Sequence, residues 1–351
     1  PLLQGMRLLA VRREVSYFII KEFTMFIEYF KSMHIAFVIV LLIVGLALII
    51  KGGDLFVDAA SWFAEISGIP KFLIGATIVS IATTLPELFV SLIATMQNNT
   101  DMAIGNAIGS VTANTGLILG ISVICAAGVV SRKEFNLKGI LLLVAMTILT
   151  VFSLNGQFGL WPSGLLLALF VVFFYDSIKV AKEISDDTAS EREKPTKKQI
   201  VSGTVKFILG ALGIVVGAEL LVDTGTVLAT ALKVPDIVIA VTVVALGTSL
   251  PELTTAITSL IKKQGALSVG NIIGANIMNL ALIMPLCSFI SGGTLIISSQ
   301  TISYDIPFCF AVGIVAVVPA IIKKKFMHWQ GVLLLAIYIT YIILVVFLPV
   351  K

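Results

Sequence analysis

Roughly ten apolar runs, each near the ~20 residues that a helix needs to cross a bilayer, leave this chain few ways to fold. They fall at about 35 to 50, 72 to 96, 103 to 127, 139 to 155, 160 to 179, 200 to 222, 237 to 261, 267 to 290, 302 to 321 and 330 to 349. In hydrocarbon every backbone N–H and C=O must find a partner within the protein, so spanning segments are helices or closed barrels. A barrel would show short segments of alternating polarity, and these runs do not alternate. Hydrophobic residues make up 58% of the chain and charged residues 13%, against about a quarter charged in soluble domains. The fold class that follows is an all-α integral membrane protein of about ten transmembrane helices.

The runs are also duplicated. Thr83-Thr84-Leu85-Pro86-Glu87-Leu88 returns as Thr248-Ser249-Leu250-Pro251-Glu252-Leu253, 165 positions later. The same offset of 165 links Asp58 to Asp223, Pro70 to Pro235, Gly105 and Asn106 to Gly270 and Asn271, Gly109 to Gly274, and Asn114 to Asn279. A register held without a gap over such a length argues for duplication. Residues 33–180 then form a first repeat of five helices, 181–199 a polar linker and 200–351 a second repeat of five helices. Since five is odd, the second repeat enters the membrane from the opposite side, and the repeats are inverted. Residues 1–32 have a mixed charged and apolar pattern and stand apart as an N-terminal extension of uncertain origin. An interfacial amphipathic helix is one reading of it, and a cleavable signal peptide is not expected, because no small-residue cleavage site follows a clean apolar core.

Lys and Arg gather on alternate connections. Arg132, Lys133 and Lys138, the stretch from Lys179 to Lys198, Lys262 with Lys263, and Lys323 to Lys325 all fall on one face, whereas the other face has Lys233 and little else. Basic loops orient toward the cytoplasm, which puts the linker inside and both termini outside a cell membrane. Arg7, Arg12, Arg13, Lys21 and Lys31 run against that assignment. Because these basic stretches flank apolar helices they read as topology anchors, not as nucleic-acid contacts. Cys125, Cys287 and Cys309 lack any CxxC spacing and read as packing residues, and His34 and His328 read as interfacial.

An ionisable group inside a membrane is expensive unless it is paired, hydrated or holding an ion, so Glu87 and Glu252 are candidate functional residues. On a helix, Thr83 and Thr84 lie four and three positions before Glu87 and share its face. Pro86 has no N–H for the carbonyl of Ala82, and Pro251 does the same at Gly247. Carboxylates, hydroxyls and freed carbonyls at a helix break are all oxygen, the ligand set of hard cations such as Na⁺ and Ca²⁺. Gly105 and Gly109, with Gly270 and Gly274, are expected to let helices approach closely, and Ser110 shares a face with Asn114. Asp54, Asp58, Glu219 and Asp223 also repeat and lie near the ends of their spans; attracting ions at an entrance is one reading, and capping helices or pairing with Lys51 and Lys71 is the favoured one.

At these residues the chain resembles the cation/calcium exchanger superfamily, specifically prokaryotic sodium/calcium antiporters whose repeats carry G-T-S-x-P-E and G-N-x-x-G-S-N. The resemblance implies ten helices in two inverted repeats, with a diamond of ion sites built by the second and third helices of each. It makes Glu87 and Glu252 central ligands, aided by Thr83, Thr84, Thr248, Ser249, Ser110 and Asn114, with Asn279 alongside and main-chain oxygens at Ser80 and Ala245. It implies antiport of Na⁺ against Ca²⁺ in the bilayer, with no cofactor and no obligatory protein partner. There are departures: Ala82 and Thr84 replace the first motif's Gly and Ser, Val111 replaces the second motif's Asn, Ala275 stands where a ligand Ser is usual, and Asn279 where some relatives have Asp. These keep a Ca²⁺/H⁺ antiporter of the same fold in view. A channel or a membrane enzyme is less favoured, since the chain holds its own inverted pair and lacks HExxH, GxSxG and a phosphate-cradling glycine loop.

Overall fold

The computed structural model describes residues 35–126, 132–187, 195–231 and 247–347. The N-terminal extension, His34, Lys233, Ala245, most of the charged part of the linker and the first half of the seventh predicted span lie outside them. Ten helices are described: α1 (Ile35–Ser67), α2 (Lys71–Met96), α3 (Thr100–Cys125), α4 (Arg132–Ser153), α5 (Leu160–Asp187), α6 (Lys197–Ala231), α7 (Leu250–Ile261), α8 (Gly265–Ile290), α9 (Thr301–Lys323) and α10 (His328–Phe347). Among the described residues, all but α7 are long and apolar enough to cross a membrane.

The duplication is visible in the backbone. Helices α3 and α8 begin and end 165 residues apart, and each widens into a π-turn at the equivalent asparagine, Asn114–Leu119 in α3 and Asn279–Ile283 in α8. The turns joining α2 to α3 and α7 to α8 place Asn98 and Lys263, again 165 apart, in the left-handed region at φ 61° and 57°.

α1 continues well past the predicted end near residue 50, through Lys51, Gly52, Gly53 and Asp54. The reason lies in its partner. A Cβ on Gly52 would sit 2.8 Å from the backbone N of Ile214 and 2.9 Å from the carbonyl O of Gly210, and one on Gly217 would sit 2.7 Å from the carbonyl O of Gly45. Glycine on both helices therefore lets two backbones touch, and the order of contacts makes α1 and α6 antiparallel. Trp62 near the end of α1 reaches Gly203 near the start of α6.

The main buried core lies apart from this pair and is built largely by α3, α4, α8 and α9, with Ile104, Ile108, Phe135, Leu142, Met146, Ile272, Ile277 and Val312 almost fully enclosed. α3 and α8 are the most enclosed helices, and α1, α5, α6 and α10 present most of their length outward. A short ribbon not foreseen from the sequence adds to the helices: β1 (Gln157–Gly159) pairs antiparallel with β2 (Thr294–Ile296), with Phe158 opposite Leu295. Gly156, Gly292 and Gly293 supply the positive φ values that turn the chain into it. The ribbon clips the α4–α5 connection to the α8–α9 connection.

Two charge assignments are corrected. Lys138 is not a loop residue: α4 starts at Arg132, so Lys138 lies inside the helix, has no exposed surface, and its Nζ meets Oδ2 of Asp176 on α5 at 2.6 Å. Asp54 and Asp58 do not pair with Lys51 and Lys71. Both meet Lys262 at the end of α7, at 3.3 Å and 2.8 Å, while Lys71 meets Glu65 at 3.2 Å.

Candidate functional site

Glycine decides where the site forms. At the crossing of α2 and α8, a Cβ on Gly270 would overlap the carbonyl oxygen of Phe72, one on Gly274 the carbonyl oxygen of Ala76, and one on Gly75 would lie 2.8 Å from the N of Asn271. The two backbones are thus in direct contact, as small residues allow in membrane helices. Gly105 and Gly109 behave differently: among the described residues nothing lies within 4 Å of a Cβ at either. The positions 165 on from Phe72 and Ala76, Ile237 and Val241, lie outside the described residues.

This crossing carries the motif residues inward. α2 passes through a π-turn at Gly75–Val79 and then stays helical through Pro86, so the expected break in the first copy is a widened turn placed before the proline. In the second copy Pro251 occupies the first turn of α7, and Thr248 and Ser249 form the turn before it. Proline is well tolerated there, since the first-turn N–H groups have no intrahelical acceptor.

Glu87 and Glu252 are both fully buried, and their carboxyl groups lie within electrostatic range of each other. The Thr84 hydroxyl donates to Oε1 of Glu252 at 3.3 Å, and the Thr83 hydroxyl donates to Oδ1 of Asn271 on α8 at 3.1 Å. Both threonines of the first repeat thus reach across to the second. Ser80, at the end of the π-turn, donates to the carbonyl of Ala76 at 2.9 Å, and its own carbonyl accepts the Thr83 hydroxyl at 3.4 Å. Ser110, Asn114, Asn279 and Ser249 are buried on the elements packed around the pair, and Thr248 is half-buried.

What marks the region chemically is polar atoms without partners. Both oxygens of Glu87, Oε2 of Glu252, both amide atoms of Asn114 and of Asn279, Oγ of Ser249 and Oδ1 of Asn276 are buried and make no hydrogen bond among the described residues. Leaving a buried polar group unpaired costs roughly 1–3 kcal/mol each, and more for a charged one. Two carboxyl groups side by side with so many unclaimed oxygens call for a positive charge among them, and oxygen-only ligation suits a hard cation.

The structure adds three asparagines to the residues predicted. Asn106 on α3 donates to the carbonyl of Glu87 at 3.1 Å and to Oγ of Ser91 at 2.9 Å, which holds α3 against α2. Asn271, its repeat equivalent, instead accepts from Thr83. Asn276, at the position equivalent to Val111, donates to Oγ1 of Thr115 at 2.7 Å. The recurrence of Asn106 and Asn271 at the same offset was the available signal for two of them. Asn276 stands at the last position of the G-N-x-x-G-S-N motif, the Asn that Val111 replaces in the first repeat, so the motif was the signal for it.

The family model for sodium/calcium exchanger proteins matches residues 37–179 and 202–347. A membrane protein of Methanocaldococcus jannaschii, MJ0091, is 33% identical over 306 residues, covering 85% of this chain and 94% of its own. The sodium/calcium exchanger MaX1 of Methanosarcina acetivorans is 26% identical over 346 residues, covering 88% and 98%. Among solved structures, the sodium-calcium exchanger NCX_Mj soaked with Na⁺ and Sr²⁺ superposes with a TM-score of 0.77 at 30% identity, over 88% of this chain and 99% of that one. With the duplicated motif, the glycine-lined crossing and the buried glutamate pair in place, this multi-pass chain belongs to the sodium/calcium exchanger protein family.

Proposed function

We propose that this protein is a secondary active antiporter that exchanges Na⁺ for Ca²⁺ and normally extrudes Ca²⁺ from the cytoplasm across the cell membrane. The observation that carries the reading is the buried Glu87 and Glu252 pair with unclaimed carboxylate oxygens. If both ionise, one Ca²⁺ neutralises them. Glu87, Glu252, Thr83, Thr84, Thr248, Ser249, Ser110, Asn114 and Asn279, with main-chain oxygens of Ser80 and Ala245, form the ion path, and the inverted repeats present it alternately to the two faces. The glycine-zipped α1 and α6 are the pair that moves against the rest.

Energetics set the coupling. Expelling Ca²⁺ against a roughly 10⁴-fold gradient and about 100 mV needs about 10 kcal/mol, and each Na⁺ entering down a tenfold gradient returns about 3.7 kcal/mol. Two Na⁺ fall short and three suffice, so the exchange is electrogenic. The test is Ca²⁺ uptake by liposomes containing the purified protein, driven by an imposed Na⁺ gradient; uptake indifferent to that gradient would overturn the reading. A Ca²⁺/H⁺ antiporter is the second reading, favoured by Ala275, which removes a hydroxyl from the second repeat where the first has Ser110. Uptake driven by a pH gradient in the absence of Na⁺ would identify it.

A further inference from the structure

Outside the ion path, the ends of α1 and α6 enclose a cavity of about 300 Å³ lined by Asp58, Trp62, Gln199, Ser202, Gly203 and Lys206. Its depth in the membrane is set by Lys262. This residue ends α7, in the tight turn to α8, and its Nζ lies 2.8 Å from Oδ1 of Asp58 and 3.3 Å from the carbonyl O of Asp54. The cavity therefore opens at the border of the apolar region. Val201, Val205, Ile208 and Leu209 on α6 and Leu55 on α1 are exposed around it, as expected of helices bathed by acyl chains.

We propose that this cavity binds the headgroup of a phospholipid carrying a primary ammonium group, of the phosphatidylethanolamine type. The lining is itself zwitterionic. Asp58 spends Oδ1 on Lys262, its side chain remains 66% exposed, and no hydrogen bond to its Oδ2 is made among the described residues. Trp62 is laid on Gly203, where any Cβ would overlap its ring, so the indole is held at the cavity wall. A carboxylate beside an indole is a receptor for an ammonium ion, by charge and by cation–π attraction. Oε1 of Gln199 already accepts from the N–H and the hydroxyl of Thr196, at 2.8 and 2.9 Å, but the Ser202 hydroxyl and Oδ2 of Asp58 can accept N–H bonds. A primary ammonium has three donors to give them, whereas a trimethylammonium has none and is held by several aromatic walls, of which this cavity has one. On the α6 side Lys206 is exposed and makes no ion pair among the described residues, so its ammonium is available to the phosphate. Its long stem lies along an apolar helix and carries the charge toward the border.

Native mass spectrometry of the detergent-solubilised protein with equimolar dioleoyl phosphatidylethanolamine, phosphatidylcholine and phosphatidylglycerol tests the assignment, and its readout does not depend on transport. The ethanolamine lipid should be retained about tenfold over the other two. Trp62→Ala should abolish that preference, Lys206→Met should lower retention of all three lipids together, since each carries the phosphate, and Ser202→Trp, which fills the cavity without removing a charge, should abolish retention. Should one substitution prevent folding, the other two carry the test. Equal retention of all three lipids by the unaltered protein, a preference for phosphatidylglycerol, a preference that survives Trp62→Ala, or retention unchanged by Lys206→Met would overturn the proposal. Protection from thermal unfolding should follow the ethanolamine lipid and be absent with inorganic phosphate; equal protection by phosphate would overturn the lipid assignment.

Discussion

At the scale of single residues, the chain places two carboxyl groups where each makes the other more expensive. Burial removes the water that would stabilise either charge, and proximity adds repulsion, so the arrangement persists because a cation or proton joins it. Replacing Glu87 or Glu252 by Gln keeps the shape and removes the charge. Either variant is expected to lose Ca²⁺ transport by at least about 100-fold, a loss of roughly 2.7 kcal/mol or more in binding, in a Na⁺-driven uptake assay. Ala275→Ser restores a hydroxyl at the position repeating Ser110 and is expected to steepen the dependence of uptake on Na⁺, read as a higher Hill slope. A different rule applies at Lys138 and Asp176, whose charges complete each other. Lys138→Met leaves Asp176 without its cation inside the bundle and is expected to destabilise the protein by about 3–5 kcal/mol, whereas Lys138→Met with Asp176→Leu recovers most of that loss; thermal unfolding in detergent distinguishes the two outcomes.

At the scale of helices, glycine settles which backbones touch. Gly270 and Gly274 press α8 onto α2, so Gly274→Val is expected to separate the crossing and abolish folding or transport, as measured by size-exclusion behaviour and uptake together. Gly52, Gly210 and Gly217 unite α1 with α6, and one link from that pair to α7 is Lys262. Lys262→Ala removes the ionic tether between a moving pair and the helix bearing Glu252. Under the proposed alternating access it is expected to change the maximal rate of exchange by a few-fold with little change in the Ca²⁺ concentration at half-rate; an unchanged rate would place this tether outside the transport cycle. The sequence singled out Gly270, Gly274 and both prolines but not the glycines that join α1 to α6, and a proline's effect depends on its distance from the helix start. Pro251 begins α7, whereas Pro86 sits inside α2, seven residues past the π-turn at Gly75–Val79.

For the whole molecule, the repeat is legible in the central part of each half: the offset of 165 holds for both ends of α3 and α8, for the asparagines that open their π-turns and for the left-handed turn residues Asn98 and Lys263. If three Na⁺ exchange for one Ca²⁺, each cycle moves one net charge, and uptake into liposomes is expected to respond to an imposed potential of about 100 mV; an unresponsive rate would exclude that ratio. The amino-acid sequence by itself determined the membrane class, the helix count, the duplication and the two glutamates, because hydropathy and repeat offset are properties of the chain read along its length. Only the tertiary structure decided that Thr83 and Thr84 reach across to Asn271 and Glu252, that Asn276 meets Thr115, that Lys262 rather than Lys51 or Lys71 holds Asp54 and Asp58, and that Lys138 is buried against Asp176. Partners separated by tens to hundreds of residues are chosen by where helices cross, and crossings depend on backbone contact that no local spacing encodes.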